Sequence, residues 1–424
     1  MALVTFSVLF IFMIIGVPIA IALCWSAVAG IISSVYFIPL EVVPQRLFTA
    51  VDSFPLLAIP FFMLAGEFMM AGSMARRIAG FAFACVGWIR AGLAQVSTLT
   101  SIFFAGISGS AAADTAAVGK MMIPLMEQKG YDKGFAAATI ATAGTIAIVI
   151  PPSIPMIVYG VTAGVSIGDL FTAGIVPGIL IGISIMFLNY WIVRKRKYSD
   201  EKGKFEFPVF KKALKDGVLA LFLPVIIIVG IRGGIFTPTE AGAAAAAYAF
   251  VVSKFIYKDL KWNDLPRSFL RAANMTAMII FIIAAANLFG WLITAEQIPH
   301  QLSSFIVGVT NNKYMILFFI NIMLFIAGCF LNASAAITIF TPLILPIALS
   351  VGIDPVFLGL VMVVNLSIGL ITPPVGLDLF IIQGIAQISF DRLVKAIMPF
   401  ILVLIFNLLL ITYIPFISMF LTKL

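Results

Sequence analysis

The chain has 424 residues, 62% of them hydrophobic and only 10% charged, with a mean hydropathy of +1.17. Those values, with repeated apolar stretches of ~18 residues or more, exclude a soluble globular protein and specify a polytopic helical membrane protein. The net charge of +8 does not point to a nucleic-acid partner, because cytoplasmic loops of membrane proteins collect Lys and Arg. Cys24, Cys85 and Cys329 form no CxxC and His300 is the single histidine, which argues against a disulfide framework or a transition-metal centre. The cysteines read as small packing residues and His300 as a surface residue in an outer loop. The first charge is Glu41, so the apolar start lacks the basic flank of a signal peptide and is expected to belong to the mature fold.

Taken in chain order, the predicted spans run from 2 to 20, 22 to 38, 56 to 73, 136 to 163 and 170 to 193, then 217 to 235, 238 to 256, 272 to 294, 356 to 384 and 396 to 420. Residues 1 to 40 are too long for one crossing and divide near Gly16-Val17-Pro18. Two segments, 95 to 130 and 315 to 352, are apolar at both ends but interrupted by polar and small residues, the pattern of a re-entrant hairpin. With the basic run 194 to 216 placed in the cytoplasm, only Arg46, Arg232, Lys313 and Lys423 remain outside. Both termini then lie outside, the first hairpin opens inward and the second outward.

An internal repeat gives the same count. Adding 222 to a position carries Gly106 onto Gly328, Pro124 onto Pro346, Asp132 onto Asp354, Pro151-Pro152 onto Pro373-Pro374, Asp169 onto Asp391 and Pro177 onto Pro399. Each copy, 1 to 193 and 217 to 424, holds five crossings and one hairpin, so the second copy is expected upside down, the inverted-repeat plan of secondary transporters. In the first, 1 to 75 holds the scaffold spans, followed by the hairpin 95 to 130, the broken helix 136 to 163 and the span 170 to 193. In the second, the corresponding parts are 217 to 294, 315 to 352, 356 to 384 and 396 to 420.

Four interrupted elements carry the candidate chemistry: the tips "GISGS" (106 to 110) and "GCFLNAS" (328 to 334), and the broken helices "AGTIAIVIPPS" (143 to 153) and "NLSIGLITPPV" (365 to 375). Paired prolines remove two N–H donors and push the preceding residue out of the helical region. Carbonyls from Gly144 to Pro152 and from Ser367 to Pro374 are therefore expected to face a cavity. Together with the hydroxyls of Ser108 and Ser110 on one side, and Asn332, Ser334 and Thr372 on the other, they form two sets of neutral oxygen ligands suited to a hard monovalent cation. Half-helix N-termini at the same tips attract a carboxylate. Close helix packing is the competing explanation for any one of these Ser or Gly residues.

Among the acids, Asp114 either caps the returning hairpin helix or serves the site, and Asp378 either tunes the second cation site or contacts substrate. Asp52 and Glu67 read as interfacial or scaffold residues. Ser153 and Ser334 complete the candidates for the substrate pocket. An intramembrane enzyme is disfavoured, since one histidine forbids HExxH and no paired-Asp motif is present; no catalytic residue is expected. A channel is disfavoured because two inverted copies do not make a ring.

The stretches "PFFMLAGEFM" (60 to 69), "FFAGISGSAAADTAAVG" (103 to 119), "IPPSIPMIVYG" (150 to 160) and "LITPPVGLDLF" (370 to 380) resemble the large membrane subunit of tripartite ATP-independent periplasmic (TRAP) transporters, and the likeness spans essentially the whole chain. It implies a sodium-coupled importer of organic acids in the bacterial inner membrane, with a scaffold and a transport domain that moves as an elevator. Sodium is the coupling ion and no other cofactor is implied. The implied partners are a small four-helix membrane subunit and a periplasmic substrate-binding protein. By the same likeness, a first sodium site takes Ser108 and Ser110 with carbonyls from Gly144 to Pro152, Ile150 included. A second takes Gly328 and Asn332 with Gly369, Thr372 and Pro374. The family pattern leads one to expect asparagine at 378, where this chain has Asp378. Substrates implied are C4-dicarboxylates, sialic acid and other sugar acids. A self-sufficient sodium or proton symporter of the dicarboxylate or citrate type, without a binding protein, is the alternative.

Overall fold

The computed structural model describes residues 1–34, 38–196, 203–298, 310 and 312–423, and every regular element among them is helical. His300 and part of the expected cytoplasmic connector fall outside these residues. The chain opens with α1 (Ala2–Ile15) and α2 (Ile19–Ile32), separated by Gly16 in the left-handed region and by Pro18, which places the break where the sequence suggested. A short α3 (Val42–Val51) precedes α4 (Ala58–Ala71) and α5 (Met74–Val86). Neither α3 nor α5 was foreseen: both are amphipathic, and a search for long apolar runs passes over them.

The segment 95 to 130 is two helices, α6 (Gly92–Ser108) and α7 (Ala111–Gln128), which turn at Gly109. The region after it comes in pieces: α8 (Lys133–Gly144), a 3₁₀ turn (Thr145–Ile148) and α9 (Ile154–Ala163). Then follow α10 (Ile167–Arg196), α11 (Phe207–Arg232), α12 (Pro238–Val251) and α13 (Leu265–Ala295). The second hairpin is α14 (Lys313–Gly328) and α15 (Ala333–Ser350). The second broken element is α16 (Pro355–Gly369) with α17 (Leu377–Ala386). Last come α18 (Phe390–Tyr413) and the short α19 (Phe416–Met419). Pro415 at the N-cap of α19 divides what the sequence presented as one span to 420.

Among the described residues, six stretches are long and apolar enough to cross a membrane: Phe54–Ala71, Ile167–Arg196, Phe207–Arg232, Trp262–Ala295, Ala333–Ser350 and Phe390–Tyr413. The helices around the paired prolines are too short for that. α9 and α17 have 10 residues each, hence ~15 Å, about half of a hydrocarbon core of ~30 Å.

The caps explain where helices begin. Asp132 and Asp354, 222 residues apart, each accept a hydrogen bond from a backbone N–H three residues on, at Phe135 (3.0 Å) and Phe357 (2.9 Å). Thr237 and Glu240 form a reciprocal capping box with Pro238 at the first helical position of α12.

Packing follows the same offset. α4 lies on α12, and α13 lies on α2; a shift of 222 residues turns one contact into the other. The Ala-rich α12 permits this: a Cβ on Gly242 would stand 3.1 Å from the Phe61 side chain and 3.3 Å from the Ala58 carbonyl oxygen. Lipid tails supply no hydrophobic drive for helix association, so close approach through small residues replaces it. Polar contacts add to it, as where Thr139 donates to Asn189 and Asn189 donates to Thr98 (3.0 and 3.1 Å), all fully buried.

Tyr159 on α9 is fully buried, donates to the Pro355 carbonyl at 2.6 Å and fills the space beside Gly359, whose added Cβ would stand 2.2 Å from the ring. Tyr159→Phe is expected to cost about 1 kcal/mol and Gly359→Ala about 1–3 kcal/mol. Gly80→Ala, where nothing lies within 4 Å, is expected to leave the thermal midpoint in detergent unchanged. Equal midpoints for all three variants would contradict this packing.

Candidate functional site

Each hairpin tip meets the broken helix of its own half through backbone that glycine leaves bare. In the first half Gly109 has φ +59°, and a Cβ there would lie 2.8 Å from the Pro152 carbonyl oxygen. The Ile154 N–H, at the start of α9, donates to the Gly109 carbonyl at 3.5 Å. In the second half a Cβ on Gly369 would lie 2.4 Å from the carbonyl carbon of Gly328, and the Gly376 N–H donates to the Cys329 carbonyl at 3.3 Å. The peptide bonds Pro151-Pro152 and Pro373-Pro374 are both cis.

Each hairpin also crosses to the other half. α7 packs along α17, and α15 packs along α9. Four helix N-termini are thereby tied into one assembly: α7 capped by Ser110, α15 by Asn332, α9 by Ser153, and α17 entered through Gly376 in the left-handed region. Such termini present unpaired N–H groups and partial positive charge, the property that binds anions.

The candidate residues fall as follows. Ser110 accepts from Ala113 N at 3.4 Å and Asn332 from Ala335 N at 2.8 Å, so residues 222 apart play one capping role. Ser108 donates to Asp114 Oδ1 at 2.5 Å and accepts from Ser110 N at 3.2 Å. Ser153 donates to the Ile148 carbonyl at 2.6 Å and accepts from Met156 N at 3.3 Å. Thr372 donates to the Ile368 carbonyl at 2.7 Å, which leaves its oxygen lone pairs open. Ser334 is buried in the first turn of α15. Gly144 lies against Thr115, whose Oγ1 would be 2.0 Å from an added Cβ. Asp114 and Asp378 are 1% and 0% exposed.

One expectation needs correction. The carbonyls of the two broken stretches are not freed throughout. The 3₁₀ turn lets Ile146 accept from Val149 N and Ile150 N, and Ser153 closes the Ile148 carbonyl. In the second half Gly369 accepts from Thr372 N and Leu370 from Asp378 N. Interrupted backbone at this depth is thus partly self-satisfied, as the lack of water demands.

Thr115 and Gly109 escaped the sequence reading. Thr115 sat unremarked between Asp114 and an Ala pair, and Gly109 was one of several glycines; only the fold shows which one needs positive φ. Beside Ser108 and Asp114 lies a small cavity of about 40 Å³, lined also by Gly66, Glu67, Phe104 and Met275. Glu67 is paired with Arg271 at 3.8 Å. Two larger cavities, about 520 Å³ by Lys313 and Asp354 and about 550 Å³ by Arg77 and Asp259, lie away from the tips.

Paired hairpins inserted between broken helices, in a chain with several membrane-crossing segments, define a multi-pass membrane transporter. The family model of the tripartite ATP-independent periplasmic transporter DctM component matches residues 6–417, and the chain belongs to that family. It is 44% identical over 98% of its length to an isethionate TRAP transporter permease protein DctMQ of Oleidesulfovibrio alaskensis, of which it spans 66%. It is 42% identical over 88% of its length to the C4-dicarboxylate TRAP transporter large permease protein DctM of Pseudomonas aeruginosa, covering 87% of that protein. The fold is similar to the crystal structure of the Alcanivorax borkumensis YdaH transporter, with a TM-score of 0.68 over 93% of this chain and 96% of that one, at 13% identity.

Gly369→Ala is expected to destabilise the protein by about 1–3 kcal/mol, because the atoms in the way are backbone and cannot rotate aside. Thermal unfolding in detergent measures it, and a midpoint equal to wild type would mean that Gly328 and Gly369 are not in contact.

Proposed function

We propose that this chain is the large membrane subunit of a sodium-coupled secondary importer of small organic anions, working with a small membrane subunit and a periplasmic binding protein. The observation that carries it is the set of four half-helix N-termini, tied together in pairs that exchange between the halves. Sodium ions order the two tips: one is held by Ser108, Ser110 and carbonyls among Gly144, Ile150 and Pro152, the other by Gly328, Asn332, Gly369, Thr372 and Pro374. The ordered tips present N–H groups and hydroxyls to the anion, among them those of Ser153 and Ser334 at the N-terminal ends of α9 and α15. Two inverted halves form a transport domain of hairpins and broken helices, which moves against the scaffold of α1 to α4 and α11 to α13. Both termini lie outside and the connector 194 to 216 lies in the cytoplasm. Coupling requires that sodium and anion bind more tightly together than apart.

The names of the relatives support a small organic anion, the sulfonate isethionate for one and C4-dicarboxylates for the other. Uptake of both, and of sialic acid, into proteoliposomes holding this chain and its small subunit is expected only with a binding protein and an inward sodium gradient. Thr372→Val is expected to raise the sodium concentration for half-maximal uptake by roughly 10-fold, the effect of ~1.4 kcal/mol of lost ligation. Uptake without the binding protein would favour a self-sufficient symporter, and unchanged sodium dependence in Thr372→Val would remove the second site as assigned.

A further inference from the structure

A polar knot lies beyond the two tips, where α7 of one half packs along α17 of the other. It consists of Asp114 and Thr115 in the first turn and a half of α7, and Asp378 in the first turn of α17. Exposure is 1% for Asp114 and 0% for Thr115 and Asp378. Ser108 satisfies Asp114 Oδ1. Asp114 Oδ2, Thr115 Oγ1 and both carboxylate oxygens of Asp378 have no hydrogen-bond partner among the described residues. The Thr115 hydroxyl stands beside the Asp378 carboxylate, the two carboxylates feel each other, and no basic side chain acts on either.

Two carboxylates buried side by side without a counter-ion repel each other and have each lost their hydration, at a cost of several kcal/mol per ion. The fold does not require them. A shift of 222 residues carries Asp114, Thr115 and Asp378 onto Ala336, Ile337 and Met156, the corresponding positions of the α15–α9 contact, and these three are 0% exposed. One crossing contact is therefore closed by hydrocarbon, and the equivalent one by two carboxyl groups and a hydroxyl whose only approach to one another is that of Thr115 to Asp378.

We propose that Asp114, Thr115 and Asp378 form a third cation site, selective for sodium, that fastens the first hairpin to the half-helix of the opposite half. The proposal rests on the sodium-coupled reading above and deepens it by one ion. Hard oxygen donors, two of the three residues anionic, fit a hard cation. Calcium takes six to eight oxygen ligands, and magnesium keeps several waters in an octahedron. The contact between α7 and α17 offers these four oxygens, with a small cavity of about 40 Å³ on the Asp114 flank. That is room for about one water, which suits a monovalent ion. Occupancy would hold α17 against α7, and loss of the ion would leave two buried carboxyl groups that must take up protons or separate.

The test is equilibrium binding of radioactive sodium to the purified full chain in detergent, against potassium and choline as competitors. Asp378→Asn keeps the shape of the side chain and removes its charge. It is expected to bind one sodium fewer than wild type, and Thr115→Val to weaken one class of site roughly 10–100-fold, the usual cost of degrading a metal's ligand sphere. Wild-type stoichiometry and affinity in both variants would overturn the proposal while leaving the tip sites standing. So would unchanged sodium binding in Asp378→Asn accompanied by loss of a pH dependence, since the knot would then hold a proton. Wild-type protein that binds no sodium would overturn both readings. If Asp378→Asn is not monodisperse, Thr115→Val alone decides, because it removes one hydroxyl from an otherwise intact knot.

Discussion

Backbone that leaves the helix inside a bilayer has no water to turn to, and the rest of this structure is arranged around that constraint. Pro151-Pro152 and Pro373-Pro374 each delete two donors and interrupt a helix in mid-course. The gaps are closed by hairpin tips brought within backbone distance: Gly109 against Pro152 and Ile154, Gly328 against Gly369, Cys329 against Gly376. At Gly109 and Gly369 the approach leaves no room for a side chain. A hairpin tip is thus half of a composite whose other half is the broken helix, and neither piece is complete alone. The remaining carbonyls close on hydroxyls, as Ile148 does on Ser153 and Ile368 on Thr372.

The exchange of partners between halves adds a second level. α7 lies on α17 and α15 on α9, while α4 lies on α12 and α13 on α2. Hairpins and broken helices therefore bind one another within each half and across the halves, while α4 with α12 and α2 with α13 pair the outer spans across them. Two bodies formed in this way touch through small residues at places such as Gly66, which lies 3.7 Å by its would-be Cβ from the Ser108 backbone. A contact of that kind is held by the close packing of small residues. Polar pairs, by contrast, lie inside one body: Asn365 donates to Asn321 at 2.7 Å, and Asn321 donates to Thr412 at 3.2 Å, joining α16, α14 and α18.

Much of this was legible because prolines, glycines and charges are positional. The 222-residue offset, read from Gly, Pro and Asp alone, lands on the observed caps Asp132 and Asp354 and on the observed breaks. The turns at 109 and 329–332 were visible as polar interruptions of apolar runs. What failed to show was of two kinds. Amphipathic elements such as α5, with Arg76 and Arg77 in its first turn, do not register as spans because half their surface faces polar surroundings. Partnerships between distant residues do not register at all: nothing in the spacing of Thr115 and Asp378 says that they share a contact. The freed carbonyls were over-predicted for a related reason, since a proline pair announces which donors are lost but not which hydroxyls will replace them.

The two crossing contacts share geometry and differ in charge, and that difference bears on how the halves can divide their work. Apolar residues at Met156, Ala336 and Ile337 close their contact without any ion, so nothing at these positions makes the packing of α15 on α9 depend on one. Replacing buried charges by hydrocarbon of similar volume is commonly neutral or stabilising, so Asp114 and Asp378 are not explained by stability. A contact closed by carboxylates holds only when something neutralises them, and its strength then follows the concentration of that ligand by mass action. The first hairpin, α7 with its Ser110 cap, is on this account the one whose grip on the opposite half is conditional, and the second hairpin the one whose grip is not. On the proposed reading the asymmetry divides the work: one seam answers to its ion, and the other is held by packing alone.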